Sequence, residues 1–79
     1  MRDVRVEREP RGSGVHWVHL YGTAPFTNDL QRRLDAKLRA EAREWAGELG
    51  MTTSGIVSSG GQYGSPWRHS AGFIFTSAE

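Results

Sequence analysis

The sequence predicts an α+β fold of the order ββαββ. A four-stranded, mainly antiparallel sheet, with the favoured strand order 1-2-4-3, carries one long helix on one face. Three observations lead there. Apolar residues alternate with polar ones near both ends of the chain, a single helical stripe fills the middle, and Gly/Pro clusters separate these segments.

The first element is DVRVERE, residues 3–9. Val4 and Val6 fall on one side of an extended chain, Arg5 and Glu7 on the other. PRGSG is a turn, and VHWVHLYG follows as a second strand rich in β-branched and aromatic residues. Together they make a hairpin over residues 2–22.

The helix comes next, in TNDLQRRLDAKLRAEAREWAGELG. Leu30, Leu34, Leu38, Ala42, Trp45 and Leu49 recur at three- and four-residue steps and form one apolar stripe. Thr27 or Asn28 caps its start, or else Thr23 ahead of Pro25, with Asp29 in the first turn, and Gly50 ends it. Asp29–Arg33, Asp35–Arg39 and Lys37–Glu41 are spaced for ion pairs along its outer surface. The stripe accounts for the helix as a packing element, so no chemistry is assigned to it.

TSGIVSSG and SAGFIFTSA are the third and fourth strands. The second and fourth are the most apolar and belong in the centre of the sheet. Charges mark the first as an edge, which leaves the third as the other edge. GGQYGSPWRHSAG, residues 60–72, admits two readings. In one it is a mobile binding loop offering Tyr63, Trp67, Arg68 and His69. In the other it is a long hairpin, with strand three running to Tyr63, a Gly-Ser-Pro turn and strand four resuming at Trp67. The glycines then make room for rings lying across the strands. Both readings put contact residues at one end of the molecule.

Alternation in the second strand decides what the uncovered face holds. Val4, Val6, Val18 and Leu20 go beneath the helix, with Phe73 and Phe75. Trp17, His19 and Tyr21 go to the open side beside Arg5, with Ile74. An aromatic patch on so small a protein is expected to be a contact surface. The third strand, which lacks Lys, Glu and Pro, is unprotected at its edge.

Composition narrows the rest. Seventy-nine residues suit a single compact domain spanning 1–79, with a core that supplies only ~3–5 kcal/mol of net stability. Without cysteine there is neither a disulfide nor a thiolate metal site. His16 and His19, three apart on a strand, point to opposite faces and cannot share a metal, so no metal and no cofactor is expected. No apolar run is long enough to span a membrane, and the charged start lacks a signal-peptide core, which favours the cytoplasm. A net charge of +1 is too small to bring a polyanion by itself.

The favoured function is therefore a small non-catalytic binding module of the inhibitor or adaptor type, a size and plainness familiar among proteins of mobile elements. Its contact residues are Arg5, Trp17, His19, Tyr21, Tyr63, Trp67, Arg68 and His69, and its partner is another protein or a second copy of the chain as a homodimer. The alternative is single-stranded nucleic acid stacked on the sheet aromatics, although the aromatic signature of the common RNA-binding sheet is missing. A lesser alternative is a metal-independent nuclease using His19 and His69 as base and acid, with Arg68 on a phosphate and Tyr63 assisting. SSGGQYGS lacks the Gly-Lys-Ser/Thr ending of a phosphate loop and is set aside.

Overall fold

A computed structural model describes residues 3–12 and 14–78. Arg2 and Ser13, both inside the expected first hairpin, lie outside the described residues. The elements run β1 (Arg5–Pro10), β2 (Val15–Gly22), α1 (Asn28–Glu48), β3 (Met51–Tyr63) and β4 (Trp67–Ser77). The strands form one sheet in the order β1-β2-β4-β3, and each neighbouring pair is antiparallel. The expected architecture and strand order both hold.

The register follows the alternation read from the sequence. Val6 lies opposite Leu20, Leu20 opposite His69, Val18 opposite Ala71 and His16 opposite Phe73. These positions share the helix side. Val18, Leu20, Ala71, Phe73, Phe75 and Trp67 are buried there against Leu34, Leu38, Ala42, Trp45 and Ala46 of α1. Burying each large apolar side chain is worth roughly 1.5–3 kcal/mol, and most of the fold's stability comes from this one layer. The stripe departs from expectation at its end. Leu49 is 51% exposed and Ala46 takes the inward position, because the helix stops before Leu49 can turn beneath it.

The caps are local chemistry. The Thr27 Oγ1 accepts a hydrogen bond from the Leu30 amide at 3.1 Å, satisfying one of the free donors of the first turn. Gly50 adopts φ +69°, the left-handed conformation that ends helices and favours glycine. Gly14 closes the β1–β2 turn with φ +81°. On the helix surface Asp29 pairs with Arg33 at 3.2 Å and Lys37 with Glu41 at 4.0 Å, as the spacing suggests. Asp35 does not pair with Arg39. It turns inward to His69, as described below.

Residues 60–72 are the long hairpin, not a mobile loop. β3 reaches Tyr63 and β4 begins at Trp67, so residues 64–66 make the turn. Both strands are longer than the third and fourth segments marked out by the sequence. The glycines seat rings. A Cβ at Gly61 would collide with the Tyr63 ring, and one at Gly22 with the Trp67 indole. A Cβ at Gly72 would come within 3.0 Å of the Trp17 indole. Each ring thus lies flat across a strand where the neighbouring backbone has no side chain.

Candidate protein-binding face

α1 covers one side of the sheet. The other side carries Arg5, Glu7 and Glu9 from β1, Trp17, His19 and Tyr21 from β2, Arg68, Ser70 and Ile74 from β4, and Gln62 from β3, as the pairings require. Period-two geometry places every one of them, since opposed residues on adjacent strands point the same way.

The three rings of β2 form a ladder. Trp17 and His19 centroids are 6.1 Å apart and nearly parallel, and those of His19 and Tyr21 are 6.3 Å apart. β1 and Arg11 just beyond it lay charges over the ladder. The Arg11 guanidinium sits 4.7 Å from the Trp17 ring centroid and that of Arg5 4.8 Å from Tyr21. The Tyr21 hydroxyl donates to Glu7 at 2.8 Å. Glu9 accepts from Arg11 at 3.1 Å and from His19 Nε2 at 2.7 Å. The face is therefore aromatic in its body and ionic at its rim, and Ile74, 42% exposed, adds an aliphatic group opposite Val15.

Of the eight residues singled out by sequence, Arg5, Trp17, His19, Tyr21 and Arg68 come together on this face. Tyr63, Trp67 and His69 do not join them. Trp67 is 2% exposed beneath Phe26, and its Nε1 donates to the Ala24 carbonyl at 2.7 Å. His69 is 4% exposed on the helix side, opposite Leu20. The reason is again alternation: Trp67 and His69 share the inward parity of Ala71 and Phe73, whereas Arg68 has the outward one. His19 and His69 consequently lie on opposite sides of the sheet and do not meet as a base and acid in one site.

Each of these histidines is the centre of an acid–imidazole–hydroxyl chain. On the open face His19 Nε2 lies 2.7 Å from Glu9 and Nδ1 2.6 Å from Ser70 Oγ. On the helix face His69 Nε2 lies 2.6 Å from Asp35 and Nδ1 2.8 Å from the Tyr63 hydroxyl. In both, the tautomer that satisfies every contact has its proton on Nε2, donated to the carboxylate, while Nδ1 accepts from the hydroxyl. This is the connectivity that polarises a nucleophile in many hydrolases. The two hydroxyls differ in access: Ser70 is 2% exposed and Tyr63 50%. Burial, with the Asp35 charge, pushes the Tyr63 phenol up, opposite to an activated phenolate. What the chains do accomplish is to satisfy two buried imidazoles.

Sequence reasoning missed Glu9, Asp35 and Ser70. Glu9 was within reach, since it shares parity with Arg5 and Glu7 on β1. Nothing local marks Ser70 or Asp35.

The exposed ion pairs of Glu9 and Glu48 are expected to add a small acid dependence to stability. Hydrogen bonds from Arg11 and then His19 hold the Glu9 carboxyl below its ordinary value, and a hydrogen bond from Arg8 does the same for Glu48. A lowered carboxyl contributes stability above its unfolded pKa and loses that contribution as pH falls through the folded one. Urea unfolding midpoints are therefore expected to drop between about pH 5 and about pH 3, with Glu9→Gln flattening part of the slope. A wild-type curve flat across that window would remove these pairs from the account of stability.

No protein-family model, curated protein or solved structure matches this chain. Among the described residues no helix is long and apolar enough to cross a membrane, and no cluster of metal-binding side chains is found.

Proposed function

We propose that this chain is a small non-catalytic binding module that docks another protein on its open sheet face. The observation that carries the reading is the Trp17–His19–Tyr21 ladder on the side of the sheet away from the helix, with half-exposed Trp17 and Tyr21 topped by Arg11 and Arg5 and His19 buried between them. Trp, Tyr and Arg are the side chains that dominate protein hot spots, because they bring large contact area at low entropic cost. Glu7 and Glu9 on the same face balance the arginines, which suits a protein surface of mixed charge. β3 adds a second means of attachment. Met51–Tyr63 contains no charged residue, and Val57 on it is 48% exposed. An uncharged edge of this kind accepts an added strand, from an adaptor's target, an inhibitor's enzyme or a second copy of the chain.

One observation favours a second reading. The rings of the ladder are spaced along β2 so that unpaired bases could stack on them, with Arg5, Arg11 and Arg68 near the phosphates. The carboxylates of β1 work against it by repelling a polyanion.

Photo-cross-linking separates the two. A cross-linking amino acid at Ile74 is expected to yield protein adducts in cells that express the chain, whereas one at Arg43, on the outer side of α1, is not. Adducts of the chain with itself would identify the partner as a second copy. Adducts to nucleic acid at Ile74 favour the second reading, and equal labelling from Ile74 and Arg43 would sink both.

A further inference from the structure

The open face ends in a cleft of about 500 Å³ lined among others by Asp3, Arg5, Tyr21, Thr23, Gln62 and Arg68. The pairings explain how these residues meet. Arg5 lies opposite Tyr21, Tyr21 opposite Arg68, and Arg68 opposite Gln62, so one row of side chains crosses all four strands. Strands are ~4.8 Å apart, which puts the backbones of Arg5 and Arg68 about 10 Å from one another. Two extended guanidinium groups can close on a single ion across that gap, over the Tyr21 ring.

Both arginines are unspent. Arg8, Arg11, Arg32 and Arg33 each have a carboxylate partner. Among the described residues Arg5 and Arg68 have none, and both are exposed. Arg5 is already oriented by its contact with Tyr21, 4.8 Å from the ring centroid. A pre-positioned planar fork loses less freedom on binding, and it matches the two oxygens of a carboxylate.

We propose that this cleft binds one carboxylate of a partner protein, presented by a segment that is otherwise uncharged where it crosses the open face past Glu7 and Glu9. The proposal rests on the protein-binding reading above and specifies its chemistry. Charge selects the ligand class. Two arginines against Asp3 leave one net positive charge in the lining, with Glu7 held on the Tyr21 hydroxyl beside it, so the cleft suits one carboxylate and not a run of them. A nucleic acid needs a track of cations along its backbone. On this face such a track would run into Glu7 and Glu9, and Arg11 is already held by Glu9.

The test is a titration of the full chain with acetyl-Gly-Gly-Glu-Gly-Gly-amide, followed through the arginine side-chain N–H signals by NMR. The expected result is a saturable shift at Arg5 and Arg68, with Arg39 and Arg43 unmoved and no response to the glutamine counterpart of the peptide. Arg5→Gln and Arg68→Gln should each weaken binding by about tenfold, and Arg68→Lys by less, since lysine keeps the charge without the fork. Both positions are exposed, so the variants should fold, and circular dichroism checks that they do. Absence of saturable binding, an equal response to the glutamine peptide, or equal shifts at Arg39 and Arg43 would overturn the proposal. So would tighter binding of inorganic phosphate or a short oligothymidine to the same two arginines. The titration needs no natural partner. A silent cleft therefore leaves a protein cross-link at Ile74 standing, and a missing cross-link leaves a positive titration standing.

Discussion

Trp67→Ala is expected to unfold the protein. Trp67 is the largest fully buried side chain, its indole lies over Gly22 against Phe26, and its N–H is bonded to the Ala24 carbonyl. Truncating such a residue costs about 3–5 kcal/mol, which equals the ~3–5 kcal/mol that a core of this size supplies in total. The far-ultraviolet circular dichroism of the purified variant should be that of an unfolded chain at room temperature. Trp67→Phe retains most of the packing and loses the hydrogen bond, so it should fold with a lowered urea midpoint. A cooperatively folded alanine variant with a near wild-type midpoint would show that the indole is not structural. The expectation also bears on function: a binding defect in any Trp67 truncation reports lost structure, and the open face has to be probed through Trp17, Arg5 or Arg68 instead.

The second large effect is expected at Asp35. As one of a string of exposed helix charges it would be worth only ~0.2–0.5 kcal/mol. Its contact with His69 changes the scale. Removing the carboxylate leaves the Nε2–H of an imidazole that is 4% exposed without an acceptor, and an unsatisfied buried donor costs about 1–3 kcal/mol. Asp35→Ala should lower the unfolding free energy by that amount, whereas Asp35→Asn, which keeps an oxygen acceptor, should recover most of it. Chemical denaturation of the two variants side by side checks this. Equal and negligible losses would mean that His69 finds another acceptor when the carboxylate is gone.

The fold was legible because its signals are periodic. Alternation in Val15–Gly22 assigns every residue of β2 to its observed face, and the stripe from Leu30 to Trp45 locates the helix and its buried side. Strand order followed from where the charges stop. β3 was harder. Met51–Tyr63 is rich in Gly, Ser and Thr, carries little apolar contrast, and shifts register between Thr53 and Ser58, so no period survives to mark its length. At Trp67 and His69 the Gly and Pro residues nearby suggested an exposed tip, while the parity of β4 turned both side chains inward. Of the acid–histidine–hydroxyl chains, the long-range links were not legible. Their members are separated by 51 residues between His19 and Ser70 and by 34 between Asp35 and His69. Helix spacing assigned Asp35 to Arg39 because it knows nothing of a sheet underneath. For the candidate face, alternation supplied Arg5, Trp17, His19 and Tyr21; Tyr63, Trp67, Arg68 and His69 were chosen by residue type, and of these four only Arg68 reaches the face.

His69 and Ser70 are consecutive residues of a central strand, yet one is pinned to the helix and the other to the opposite surface. A single peptide unit thus rivets the two sides of the molecule together. The face proposed for docking is thereby tied to the core, and a partner bound there would meet a shape already set, so little of the energy of association would go to arranging it.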